Sequence, residues 1–113
     1  MLYRCTSAAN PKINLEKESK RMGTGSYTFN FTPTNIKGYA ITFLNFDGLG
    51  TLEIQTKQGS QWTTKKTLSF DSHTGYQDCF FENGVFEGVR AILKITNQYS
   101  ASNISYISCA YIM

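Results

Sequence analysis

Apolar and polar residues alternate with a period of two along most of the chain from Ser26 onward. In SYTFNFTP, Tyr27, Phe29 and Phe31 point one way and Thr28, Asn30 and Thr32 the other, as in a strand with one covered face. Pro33 ends that run. YAITFLNF, residues 39–46, is apolar on both faces and predicts a central strand. Asp47-Gly48-Leu49-Gly50 is a turn signal of the kind hairpins use. Leu52, Ile54 and Thr56 then alternate with Glu53, Gln55 and Lys57, and Gln58-Gly59-Ser60 makes the next turn. Trp62, Thr64, Lys66, Leu68 and Phe70 are expected to share one face of the strand that follows.

Beyond the polar connection 71–75, a short strand is expected at 76–82, and Asn83-Gly84 reads as a turn dipeptide because both residues tolerate positive φ. Val89, Ala91, Leu93 and Ile95 mark the inward face of another strand. NISYISCAYIM, apolar to its last residue, predicts a well-covered strand inside a sheet. These are about seven strands at the spacing of a sandwich or barrel. The one helix candidate is KINLEKESKRM, whose apolar face (Ile13, Leu15, Met22) is thin. The expected fold is all-β: a single antiparallel β-sandwich, jelly-roll-like, over residues 26–113, preceded by an extended N-terminal arm, residues 1–25.

The length, 113 residues, suits one core, and with 41% hydrophobic and 14% aromatic residues the composition is globular. No run reaches the ~18 apolar residues a membrane span needs, so no membrane partner is expected. The N-terminus lacks an apolar h-region, which predicts no secretory signal and synthesis in the cytoplasm.

Charge divides the chain more sharply than composition does. Residues 1–25 contain Arg4, Lys12, Lys17, Lys20 and Arg21 against Glu16 and Glu18, whereas residues 26–113 hold six basic and six acidic groups. The N-terminal segment therefore carries the whole net charge of +3. Nucleic acid is not favoured as a partner, since the body has no basic stripe; Lys65 and Lys66 are expected on opposite faces.

Candidate chemistry is sparse. Three cysteines (Cys5, Cys79, Cys109) leave at least one thiol unpaired, and Cys79 and Cys109 read as small buried hydrophobes. With one histidine, His73, in the loop FDSHTGY, and no C-x-x-C spacing, neither a structural zinc site nor any other cofactor is expected. His73 reads as a surface loop residue rather than a catalytic base, and Glu82 and Glu87 as acids flanking the NGVF turn. No catalytic motif is present, and the chain is expected not to be an enzyme. Binding is the better expectation. Trp62, Tyr76, Tyr99, Asn97, Gln98 and Arg90 combine flat apolar rings with polar planar groups, the chemistry that holds a sugar or a protein partner. For each of them singly, packing is the simpler account.

From Tyr39 onward the order of features, LEIQTKQGSQW, then GVRAILKITN, then NISYISCAYI, resembles the discoidin-type, galactose-binding-like jelly roll. That resemblance implies a packing role for Trp62 and ligand binding by loops at one end of the sandwich. The chain is shorter than that family and lacks its bracketing cysteine pair, so no ligand residue is carried over. In organisation the chain is also similar to bacteriophage head decoration and head-fibre proteins, which pair a polar N-terminal arm with a compact β-sandwich. This implies a virion-associated structural protein, released by lysis rather than secretion.

The expected function is therefore a non-enzymatic virion accessory protein, homo-oligomeric, anchored to capsid or tail proteins through its arm. Leu2, Tyr3, Ile13 and Leu15 would be buried on assembly, with Arg4, Lys12, Lys17, Lys20 and Arg21 meeting an acidic surface. The alternative is a free-standing carbohydrate-binding module or lectin.

Overall fold

The period-two pattern becomes strands throughout the computed structural model, which describes residues 2–4, 14–21, 24–31, 36–45, 47–99 and 104–112. Among these residues the strands are β1 (Leu2–Arg4), β2 (Asn14–Arg21), β3 (Gly25–Phe31), β4 (Ile36–Asn45), β5 (Gly48–Gln58), β6 (Gln61–Ser72), β7 (Tyr76–Phe86), β8 (Gly88–Gln98) and β9 (Ile104–Ile112). They form a five-stranded sheet in the order β1-β7-β4-β9-β2 and a four-stranded sheet in the order β3-β8-β5-β6. Every pairing is antiparallel. From β2 onward, each link except the β5–β6 hairpin carries the chain from one sheet to the other. That arrangement is the double-sheet jelly roll, and the expected all-β sandwich is what forms.

The core lies between the sheets. Phe29 and Phe31 of β3, Leu52 and Ile54 of β5, Leu68 and Phe70 of β6, and Val89, Ala91, Leu93 and Ile95 of β8 face Tyr39, Ile41 and Phe43 of β4, Phe80 and Phe86 of β7, and Ile107 and Cys109 of β9. The aromatic rings interlock: Tyr39 meets Phe86 edge-on at 5.4 Å, and Phe43 meets Phe70 at 5.3 Å. β4 and β9 occupy interior positions of their sheet, as their apolar sequences require.

Four sequence expectations change. The helix candidate is a strand over 14–21, paired residue for residue with β9 from Asn14↔Tyr111 to Arg21↔Ile104. A helix with so thin an apolar face loses to a full ladder against the most apolar strand of the chain. Of the segment read as an arm, 2–4 and 14–21 thus form the two edges of the five-stranded sheet, and its last residue, Gly25, opens β3. Asp47-Gly48 joins strands of different sheets instead of closing a hairpin. Asn83-Gly84 lies within β7: three steps on β7 (Phe86 to Asn83) face two on β4 (Ile36 to Gly38), so the pair belongs to a β-bulge. Gly84 has φ of +153°, and a Cβ there would sit 2.9 Å from the Phe86 ring.

The fourth change concerns cysteine. Cys109 is fully buried and in no disulfide, as expected, but Cys79 is half-buried and disulfide-bonded. Cys5 lies outside the described residues. β1 lines up against β7 with Leu2↔Glu82, Tyr3↔Phe81 and Arg4↔Phe80.

Candidate binding face

The most distinctive side-chain cluster exists because of one extra residue in β6. Ile54 of β5 faces Lys66, and the next residue, Gln55, faces Thr64, so Lys65 is left over as a bulge. A one-residue insertion reverses the parity of a strand. Leu68 and Phe70 point into the core, whereas Trp62 and Thr64, expected on the same face, turn to the outer face of the four-stranded sheet. There they stand opposite Lys57 and Gln55, and Arg90 of β8 lies on the other side of Gln55.

Trp62 is half-buried at this outer position, which differs from the core role implied by the family resemblance. The Arg90 guanidinium lies over its ring at 4.1 Å from the centroid, and Lys57 Nζ is 6.0 Å away. At the ring's far edge, a Cβ on Gly88 would come within 3.2 Å of Trp62, so glycine gives the indole room to lie against β8. Arg90 Nε donates to Gln55 Oε1 at 2.6 Å. The Gln55 amide in turn donates to Glu53 Oε1 at 2.5 Å and Thr64 Oγ1 at 3.2 Å, and the Thr64 hydroxyl donates to Glu53 Oε1 at 2.6 Å. These two donors, Thr64 first and Gln55 second, hold the Glu53 carboxyl below the usual glutamate range. The result is a pre-set row of planar polar groups leading from Glu53 to an aromatic-backed guanidinium.

The remaining sequence candidates gather elsewhere. Tyr99 stacks on His73 at 4.0 Å and 10°, and its hydroxyl donates to Asp71 Oδ1 at 2.8 Å, which raises its pKa. Tyr76 stacks on Phe70 at 5.7 Å and donates to Asp78 Oδ2 at 3.0 Å. Exposed Asn97 and half-buried Gln98 pair with Leu49 and Gly48. Gly48 and Lys57 end opposite halves of β5, so this cluster and the Trp62–Arg90 pair are about 30 Å apart at the rise of a strand. The six candidate contact residues are therefore two groups, not one site. Of the assembly residues, Leu2, Tyr3 and Arg4 lie on β1 and Leu15, Lys17, Lys20 and Arg21 on β2. Lys12 and Ile13 lie outside the described residues.

Lys65 and Lys66 also depart from expectation. Both reach toward the other sheet, Lys65 Nζ 5.8 Å from the Phe86 ring centroid and Lys66 Nζ 5.7 Å from that of Phe80. Lys65 pairs there with Glu82, which is buried and not the exposed turn acid expected. Among the described residues no cluster of three or more His, Cys, Asp or Glu could hold a metal ion, and no helix is long and apolar enough to cross a membrane.

No protein-family model matches this chain, and no curated protein matches it either. Among solved structures it is similar to the crystal structure of PirA, with 15% identity over 91% of this chain and 97% of that one, at a TM-score of 0.47. A likeness at that level carries no argument about function.

Proposed function

We propose that this protein is a non-enzymatic recognition module that binds glycans on the outer face of its four-stranded sheet, beside Trp62 and Arg90. The observation that carries the reading is the Arg90 guanidinium held 4.1 Å over Trp62 by a chain of hydrogen bonds through Gln55 to Glu53 and Thr64. A scattered solvated face spends no such network on fixing one cation, and fixed planar donors beside an aromatic ring are what a sugar's hydroxyls and C–H face require. A disulfide at Cys79 suits display in an oxidising medium. The test is a glycan-array screen of the full chain, because the 14–21 strand is part of the sheet. Saturable binding to a defined glycan, lost in Trp62→Ala and in Arg90→Ala, supports the reading; a folded sample that binds none overturns it.

A second reading, an accessory subunit of a larger assembly such as a bacteriophage virion, is favoured by one observation. The segment with the whole net charge supplies both edge strands of the five-stranded sheet, where a neighbouring subunit would meet it. Reversing Lys17, Lys20 and Arg21 to Glu should abolish incorporation into that assembly while leaving the monomer folded.

A further inference from the structure

We propose that the glycan bound on this face is anionic, with its carboxylate or sulfate taken by Arg90 and Lys57, and with Trp62 acting as a positioning residue for Arg90. The inference rests on the glycan-binding reading and names its ligand class.

The bond from Arg90 to Gln55 uses Nε alone. An arginine side chain has five N–H donors in a rigid fork. Among the described residues no acceptor bonds the terminal Nη groups, and no carboxylate lies within ion-pair distance of Arg90, Lys57 or Lys94. Glu53 stands one position from Gln55 along the same face and would be the natural partner for Arg90. Its Oε1 instead accepts from both Thr64 and Gln55, and a neutral amide is interposed between the carboxylate and the guanidinium. The face thus holds its arginine in place without a direct ion pair, the Glu53 charge acting on it only across the Gln55 amide. Lys57 flanks the Trp62 ring, adding a second cation to the same end of the sheet. A planar fork with free donors and an adjacent ammonium match an acidic substituent better than a neutral hydroxyl. Trp62 carries Arg90 over its ring and sets its edge against Gly88, so its contribution to holding the acid is to fix the guanidinium plane.

The experiment is affinity electrophoresis of the full chain in gels containing polygalacturonate, dextran sulfate, heparin or neutral dextran, at low and physiological salt. Polygalacturonate presents carboxylates only and dextran sulfate presents sulfates only, so the two arms identify which acid is read. Retardation by one acidic polymer and not by dextran is expected. Arg90→Lys, which keeps the charge and loses the fork, should bind about tenfold more weakly. Trp62→Phe should bind more nearly like the wild type than Trp62→Ala, since a ring still supports the guanidinium. Equal retardation by dextran and the acidic polymers overturns the inference and leaves the glycan reading standing. Retardation that persists undiminished in Arg90→Ala also overturns it, because net charge alone would then be responsible. Absence of binding to all four polymers overturns the inference, and only absence of binding on the glycan array as well defeats the glycan reading.

Discussion

Lys65 Nζ lies 3.5 Å from Glu82 Oε2, joining the two sheets across the side of the sandwich where β6 faces β7. Glu82 is almost wholly buried and takes a second bond from the Tyr39 hydroxyl at 3.1 Å. A buried carboxylate that loses its ammonium partner is poorly compensated, so Lys65→Met should destabilise the fold by about 1–3 kcal/mol. A double-mutant cycle with Glu82→Gln, read by urea unfolding, should show a coupling of about 1 kcal/mol. Additive single effects would mean that the ammonium and carboxylate do not interact in solution.

Burial first, and then the neighbouring Glu82 carboxylate, pushes the Tyr39 hydroxyl above its ordinary pKa of 10.0. The folded pKa is raised, so this contribution to stability is complete below pH 10.0 and is lost as pH rises above it, where the unfolded chain ionises first. Tyrosinate absorbance should show at least one of the seven tyrosines refusing to ionise until the protein unfolds in alkali. Tyr39→Phe should remove that delayed component; if the delay survives, another tyrosine is responsible.

Much of the sandwich is legible in the alternation, because a half-buried strand has no other way to sort its residues. The Gly59 turn and the interior places of β4 and β9 in their sheet all follow from it. Bulges are where that reading fails. Lys65 adds one residue to β6 without any local mark in the sequence, and the parity of Trp62 reverses with it. The Asn83-Gly84 pair is marked, but positive φ serves a bulge as well as a turn. The candidate binding face was legible only in its two largest members. Gln55 and Arg90 are 35 residues apart, and only the β5–β8 register sets them side by side.

Two glycines should respond to alanine for different reasons. At Gly50 a new Cβ would be driven into the Lys94 carbonyl oxygen and would touch Phe70 at 3.0 Å, both fixed parts of the sheet. Gly50→Ala should cost about 3 kcal/mol or more. Gly59 faces open space at φ of +62°, so Gly59→Ala should cost only about 1 kcal/mol of backbone strain. Thermal unfolding of the two variants checks the order, and equal losses would contradict the close approach at Gly50.

β1 pairs with β7 from Leu2↔Glu82 to Arg4↔Phe80, and Cys79 is the residue of β7 that precedes Phe80. Cys79 is disulfide-bonded and Cys109 is in no disulfide, leaving Cys5 as the expected partner of Cys79 among the three cysteines. Peptide mapping without reductant should recover a Cys5–Cys79 linked pair. Closing so long a loop should stabilise the fold by about 3–5 kcal/mol, lost on reduction or in Cys79→Ser. Recovery of Cys79 as a free thiol from the oxidised protein would refute the pairing.

Acid gives a direct reading of the candidate binding face. Glu53 titrates below its ordinary value of 4.5 because Thr64 and Gln55 donate to its carboxylate. A depressed folded pKa means that the contribution is present above pH 4.5 and is lost as pH falls through the folded value. The network holding Arg90 over Trp62 should accordingly persist from neutral pH past the point where ordinary glutamates have protonated. Carbon NMR of the Glu53 carboxyl should place its midpoint below 4.5, with tryptophan emission changing in the same interval. In Glu53→Gln that emission step should vanish, since the amide has no proton to take up. A wild-type midpoint at or above the ordinary value would mean that the Thr64 and Gln55 bonds do not hold in water, and the fixed guanidinium would lose its support.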